Sequence, residues 1–258
     1  MNVIYDLARM PTTYDFVPWA CFARTCGAES VHFCIDGEIA HHKYPRETAW
    51  KRFATILLPV CKLAGLSWTI GAKAEGREFP YLAGNMNTLY KETGKIEKLK
   101  ATQRVDKEGY VTITLRESFR NRYRNSNVPE WEKFKSYLED RKIDYLVFPE
   151  CENEPIDLET RMAYYTHADM NLGVATGPMA LCIFSEAPYL SLNQTPEPKG
   201  DEKLQYDQVK LLEAQDFPPG SQFAWKNERQ LLVYEPDTFE NIVSAFERME
   251  RVKQKEAA

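Results

Sequence analysis

The sequence predicts an α/β protein built from two Rossmann-like halves. Three observations predict it. Over residues 1–70, short apolar or β-branched runs alternate with helical stripes. The same alternation returns over residues 110–252. Between them lies a charged stretch with little periodicity, KETGKIEKLKAT. Strand, helix and strand in that order predict parallel sheets with crossover helices. The boundary is placed near residue 105, giving an N-terminal domain 1–105 and a C-terminal domain 106–258.

In the first half, Val3–Leu7 reads as a strand. Asp15–Cys26 reads as a helix with Phe16, Trp19, Ala20 and Ala23 on one face, closing at Gly27. Ser30–Ile35 is a second strand, ended by Asp36-Gly37. Arg46–Ala64 carries a stripe of Trp50, Phe53, Ile56, Leu57 and Val60, with Pro59 expected to kink or split the helix. Leu66–Ile70 is a third strand. Residues 71–107 offer no clear element. In the second half, Tyr110–Leu115 is a strand rich in β-branched residues, and Pro129–Lys142 a helix with proline in its first turn. Asp144–Phe148 is a strand that Pro149 should stop. Asp157–His167 is a helix and Met170–Val174 a strand. Gly177-Pro178 should open a helix reaching Phe184. Tyr189–Leu192 and Leu231–Tyr234 are strands around an irregular excursion over residues 194–222. Pro236–Val252 is a closing amphipathic helix, after which KQKEAA should fray.

Composition narrows the function classes. The 258 residues are 43% hydrophobic and 28% charged, enough apolar material for one or two cores. A net charge of −5 argues against a general nucleic-acid binder, which needs a cationic surplus to displace counterions. No run approaches the ~20 apolar residues of a membrane span. The N-terminus has acidic residues where a signal peptide is basic and then apolar, so a cytoplasmic protein is expected. The six cysteines form no C-x-x-C pair and read as buried free thiols. His41-His42 lack a surrounding ligand frame, so no metal site is expected.

In open parallel sheets ligands collect at the carboxyl ends of the strands. That singles out the loops after Leu7, Leu115, Phe148, Val174 and Leu192, expected to face a cleft between the two sheets. The loop after Leu115 holds Arg116, Arg120, Arg122 and Arg124, interleaved with Asn121, Asn125 and Asn127. Guanidinium groups bind phosphate oxygens bidentately and can stabilise a leaving diphosphate, although a solvated basic loop would look the same. Thr176, Gly177, Pro178 and Met179 follow a strand and open a helix, and free N–H groups at such a start favour phosphate. Glu150, with Glu152 and Glu154 close behind, stands where an acidic residue accepts from ribose hydroxyls. Asp169 and Asn171 lead into the Met170–Val174 strand, where Asp169 can also serve as a turn or cap.

Taken together, TITLRES with its RNSN, EWEKFKSYLEDRKIDYLVFPE, ETRMAYYTHADMNLGVATGPMALCIFSEAPYLSLN and QLLVYEPDTFENIVSAFERM resemble the donor-binding half of GT-B glycosyltransferases. The similarity is to the heptosyltransferase and fucosyltransferase-like branches and covers residues ~110–252. It implies two Rossmann-like domains facing a cleft, with a first, acceptor-binding domain reduced in a chain this short. It implies transfer of a sugar from a nucleoside diphosphate to a hydroxyl acceptor without a metal or other cofactor. Donor contacts would fall on Arg116, Arg120, Arg124, Asn125, Glu150, Asp169, Asn171, Thr176, Gly177, Pro178 and Met179. The catalytic pair would be Arg116 and a first-domain base, Asp15, which can equally cap the following helix together with Thr12 or Thr13. The acceptor stays open among a glycan, a small molecule and a modified nucleobase, as does the oligomeric state. A sugar-nucleotide epimerase or hydrolase, or a non-catalytic nucleotide-binding module, fits the same residues.

Overall fold

A computed structural model describes residues 1–35, 45–72, 75–79, 85–118, 121–150, 156–197, 208–213 and 217–256. The chain divides into two compact units. One takes Met1–Gln103 and Asp157–Ala163, the other Arg104–Ile156 and Tyr164–Ala258.

The first unit holds a parallel sheet in the order β3-β2-β1-β4, formed by β1 (Asn2–Asp6), β2 (Ser30–Cys34), β3 (Ser67–Gly71) and β4 (Arg77–Glu78). On one face Tyr5 meets Phe16, Trp19 and Phe33 edge-on, with centroids 4.8, 4.9 and 5.9 Å away. Phe16 and Trp19 come from α1 (Phe16–Thr25), whose apolar stripe docks there as its spacing requires. The long helix expected over residues 46–64 forms as α2 (Arg46–Arg52), a π-helical turn (Phe53–Leu57) and α3 (Leu58–Leu63). Pro59 explains the turn. It has no N–H to give, and Leu58 bonds back five residues to Phe53, so the helix passes the proline without ending.

No helix joins β3 to β4, because only residues 72–76 separate them. The described ends of the link are tied to β2 and β1. The Ala72 carbonyl lies 2.8 Å from His32 Nε2, and Asn2 Nδ2 donates to the Glu75 carbonyl at 3.3 Å. A side chain at Gly76 would sit 3.0 Å from Ile4, so glycine is what lets the chain pass this close to β1 before β4. This is the reduced form of a doubly wound domain. The stretch read as featureless contains α4 (Asn85–Thr93), which buries Met86 and Leu89.

The second unit holds five parallel strands in the order β6-β5-β7-β8-β9. They are β5 (Tyr110–Arg116), β6 (Asp144–Glu150), β7 (Met170–Val174), β8 (Tyr189–Leu192) and β9 (Gln230–Leu232). Its core joins Val111, Ile113 and Leu115 to Leu172, Val174, Leu190 and Leu192, and to Trp131, Phe134 and Phe246. Each such side chain contributes about 1.5–3 kcal/mol through burial. The aromatic members come from α5 (Val128–Asp140) and α9 (Phe239–Glu256). These two helices cap each other. Asp237, before α9, accepts from Asn127 N and Trp131 Nε1 at 2.8 Å each, closing the start of α5. Glu130, in α5, accepts from Phe239 N at 2.9 Å, closing the start of α9.

Three sequence expectations need correction. β6 does not stop at Pro149 but continues to Glu150, because an edge strand has outward positions where no N–H is needed. The closing helix runs to Glu256 instead of fraying after Val252. The excursion over residues 194–222 contains a short helix, α8 (Gln208–Glu213), and the Asp36-Gly37 turn lies outside the described residues. α6 (Leu158–His167) begins in the first unit and ends in the second, and Glu159 ties its start to Lys62 Nζ (2.7 Å) and Thr102 Oγ1 (2.9 Å).

Candidate functional site

From β5 the chain moves to β6 on one side and then returns to β7 on the other. The switch point of the sheet therefore falls between β5 and β7, the place where open parallel sheets bind ligands. The segments leaving the carboxyl ends of these two strands are the arginine loop and the Thr176–Met179 turn.

The arginine loop is closed at its base by its own backbone and by two short polar side chains. Arg116, the last residue of β5, donates its N–H to Ser126 Oγ at 2.9 Å, and Ser126 N donates to the Arg116 carbonyl at 2.9 Å. One rung further out, Ser118 N donates to Asn125 Oδ1 (3.0 Å) and Asn125 Nδ2 donates to the Ser118 carbonyl (2.9 Å). Asn125, a predicted donor-binding residue, thus spends its amide on the loop itself. At the tip Asn121 takes a left-handed conformation, φ 52°, which asparagine tolerates, and Arg122–Arg124 form a 3-10 turn. Arg122 is exposed, Tyr123 is buried, and Arg124 is half-buried. Arg124 Nη2 donates to the Ala175 carbonyl at 2.9 Å, which joins the arginine loop to the segment after β7. Arg116 is only 8% exposed, so its head lies within the fold at the strand end instead of projecting into solvent. Arg122, Tyr123, Asn125, Ser126, Asn127, Val128 and Pro129 line a shallow pocket of about 250 Å3.

The second segment is shaped by Gly173. A Cβ there would stand 3.0 Å from the Thr114 carbonyl and 3.1 Å from Met179 Sδ, so glycine lets fully buried Met179 fold back over β7. Thr176 is extended and largely buried, and Gly177–Met179 form a 3-10 turn. The expected helix after it is corrected to a single turn, α7 (Ala180–Ile183). Four residues carry little macrodipole, so any anion recognition here rests on local N–H groups and Arg124.

Two predicted donor contacts belong elsewhere. Asp169 and Asn171 stand at the amino end of β7, the opposite edge of the sheet from the switch-point loops, because they precede or begin the strand. Asn171 is fully buried: its Oδ1 accepts from Thr112 Oγ1 (2.7 Å), and its Nδ2 donates to the carbonyls of Tyr165 (2.8 Å) and Pro188 (2.7 Å). It holds β5, β7 and α6 in register. Asp169 pairs with Lys253 Nζ at 2.7 Å, and its carbonyl accepts from Arg229 Nη2 at 2.6 Å. Glu150 ends β6 opposite Arg116 in the ladder, and only its backbone is described. Arg120, Glu152, Glu154, His41 and His42 lie outside the described residues.

In the first unit Asp15 is exposed at the N-cap position of α1 but makes no cap with its side chain, which accepts from Thr13 Oγ1 at 2.7 Å. The preceding loop is pinned by Tyr5 Oη, donating to the Pro11 carbonyl at 2.6 Å, and by Asp6 Oδ1, accepting from Ala8 N at 2.9 Å. Cys21 and Cys61 are buried, and burial pushes the Cys21 thiol up to about 12, which makes it a packing group. Among the described residues no group of three or more His, Cys, Asp or Glu could hold a metal ion, and no helix is long and apolar enough to cross a membrane.

Residues with clear duties that sequence reading passed over are Ser118, Ser126 and Asp237. Ser126 stood inside the quoted RNSN, where a serine ten residues after the strand end could have been read as its clasp. Asp237 carried no local signal, since its partners lie more than a hundred positions away.

Compared with solved structures, the chain superposes on the bacterial iron-containing dodecameric glycosyltransferase TibC from enterotoxigenic E. coli H10407. The TM-score is 0.52 at 11% identity, over 97% of this chain and 76% of that one. The fold is of the GT-B type. The dodecameric iron-containing heptosyltransferase TibC in complex with ADP-D-beta-D-heptose gives the same TM-score, 0.52, at 10% identity over 98% and 78%. No family model matches the sequence, and no curated protein is significantly similar to it. Within the GT-B fold the arginine loop and the Thr176–Met179 turn stand at the switch point of the second sheet.

Proposed function

We propose that the protein is a glycosyltransferase that moves a sugar from a nucleoside-diphosphate donor to a hydroxyl acceptor, with the second unit as the donor-binding domain. One observation carries the reading: at the β5/β7 switch point, Arg124 of the arginine loop reaches the segment after β7 through a 2.9 Å hydrogen bond to Ala175. Arginine and nearby N–H groups are what a departing diphosphate needs in the transition state. In this reading Arg116 and Arg124 hold the diphosphate beside Thr176 and Gly177, and Arg120 and Glu150 complete the donor site. Asp15, whose side chain accepts from Thr13 and makes no cap on α1, is the proposed base for the acceptor hydroxyl. The arginines can neutralise the leaving group without a metal. The complex of TibC with ADP-D-beta-D-heptose makes an ADP-linked sugar the first donor to try.

The test has two stages. ADP, GDP, UDP, CDP and TDP are screened for thermal stabilisation; at about 100 times its dissociation constant a ligand adds ~2.7 kcal/mol. Donor consumption is then followed with and without acceptors, and with chelator or added iron. Loss of donor only with acceptor supports transfer. Loss without acceptor means a hydrolase or epimerase, binding without loss means a nucleotide-binding module, and no stabilisation by any of the five removes the donor site.

A further inference from the structure

The described sheets have four edges, and three are closed to strand addition. β4 has two residues, both charged. β6 carries Pro149. β9 is sealed by Gln222, whose Nε2 donates to the Leu232 carbonyl and whose Oε1 accepts from Leu232 N, each at 2.8 Å. These are ordinary devices against unwanted pairing. The fourth edge, β3, has none. Its sequence, Ser67-Trp-Thr-Ile-Gly71, holds no charge and no proline, and Trp68 and Ile70 are 41% and 43% exposed. Among the described residues these are two of four large exposed hydrophobics, and they share one strand and one face.

The backbone direction coincides with the side-chain pattern. Ser67 N donates to the Glu29 carbonyl, and the Gly71 carbonyl accepts from Ile35 N, so the odd-numbered residues turn their polar groups toward β2. Alternation then turns the N–H and C=O of Trp68 and Ile70 outward.

We infer that β3 pairs antiparallel with β3 of a second copy of this chain, about a two-fold axis through Thr69. That register alone sets Trp68 opposite the partner's Ile70 at both symmetry-related positions. Both residues present outward backbone groups, so each pair exchanges two N–H···O bonds, as a hydrogen-bonded antiparallel pair requires. Their side chains meet on one face as an aromatic–β-branched couple, and Thr69 meets the partner's Thr69 on the other. The strand is thus complementary to itself, the condition for an isologous dimer and one that an unrelated strand has no reason to satisfy. The two apolar side chains offer on the order of 200 Å2 per protomer, given that aromatic residues bury ~150–250 Å2 when fully covered. That is well short of the ~800 Å2 per partner of a stable complex, so the dimer is weak and depends on concentration.

Sedimentation velocity on the full chain, from about 5 to about 300 μM, tests this, because a small interface dissociates within that range. The wild type is expected to shift from monomer toward dimer. Ile70→Lys, at an exposed site, should weaken association at least ~tenfold, because symmetry applies the loss twice. Trp68→Glu/Ile70→Lys should recover most of it, since the new charges of opposite sign face each other only in this register. Circular dichroism confirms the fold of each variant. A wild type that stays monomeric throughout, an Ile70→Lys variant that associates like the wild type, or a double variant no better than the single one would each overturn the inference.

Discussion

Asp237→Ala removes the group on which the start of α5 depends. The carboxylate is 4% exposed and accepts from Asn127 N and Trp131 Nε1, both at 2.8 Å. Trp131 is fully buried, so its Nε1–H would have no water to turn to, and an orphaned buried donor costs about 1–3 kcal/mol. The Asn127 N–H is half-buried and regains part of its bonding from solvent, adding about 1 kcal/mol or less. Together the loss is about 1–4 kcal/mol, or a Tm drop of roughly 2–16 °C at ~2–4 °C per kcal/mol for a chain of this size. Asp237→Asn keeps one carbonyl oxygen in place and should cost less than half as much, the difference reflecting loss of charge assistance. Urea unfolding followed by tryptophan fluorescence and by far-UV circular dichroism measures both variants. An unchanged m-value confirms that the native state, not the unfolded chain, has changed. If Asp237→Ala costs under ~0.5 kcal/mol, or Asp237→Asn costs as much as Asp237→Ala, the two hydrogen bonds do not hold the helix start and the capping account is wrong.

Three further outcomes follow from single residues. Arg116→Ala should raise the barrier to turnover by about 2–4 kcal/mol, as for loss of one oxyanion-type donor, and Arg116→Lys should recover only part because it lacks the planar fork. Since Arg116 is 8% exposed, turnover per folded molecule and Tm are read on one preparation, and a loss confined to Tm would make it a purely structural residue. Tyr189→Phe should be neutral or stabilising by up to ~1 kcal/mol, because the hydroxyl is buried without a hydrogen-bond partner among the described residues; a clear loss on denaturant titration would show a hidden partner. Lys133, and then the Phe239 N–H, hold the Glu130 carboxyl below its usual range, so its contribution is complete above the unfolded value near ~4.3 and is lost as pH falls through the lower folded value. Between about pH 4.5 and pH 2, wild type should lose more stability than Glu130→Gln, and equal losses would remove Glu130 from the junction.

The local chemistry of the chain determined where most elements lie. A β-branched run marked β5, short apolar runs marked β7 and β8, and apolar stripes marked α1, α5 and α9, because periodicity is set by neighbours two to four positions apart. The carboxyl end of β5 was legible too, and with it the arginine loop, since a parallel sheet offers its carboxyl edge to ligands. Elements whose stability comes from contacts made far along the chain were not legible. α4 is weakly periodic and buries Met86 and Leu89 against a core that its own residues do not announce. Pro149 reads as a stop, and only the position of β6 at the sheet edge makes it harmless.

For the candidate site the division is sharper. Residue type suggested Asn125, Asp169 and Asn171 as ligand contacts, because an amide or carboxylate looks the same whether it faces a phosphate or a neighbouring carbonyl. Only the fold shows Asn125 clasped to Ser118, Asn171 consumed by Thr112, Tyr165 and Pro188, and Asp169 at the far edge of the sheet with Lys253. The fold also decided which arginine meets the second segment, and that Gln222 seals β9 while Trp68 and Ile70 of β3 stay exposed. Sequence carries the polar groups and the local periods. Which polar group is satisfied internally, and which is left for a ligand or a partner, depends on residues a hundred positions away and is settled only when the chain closes on itself.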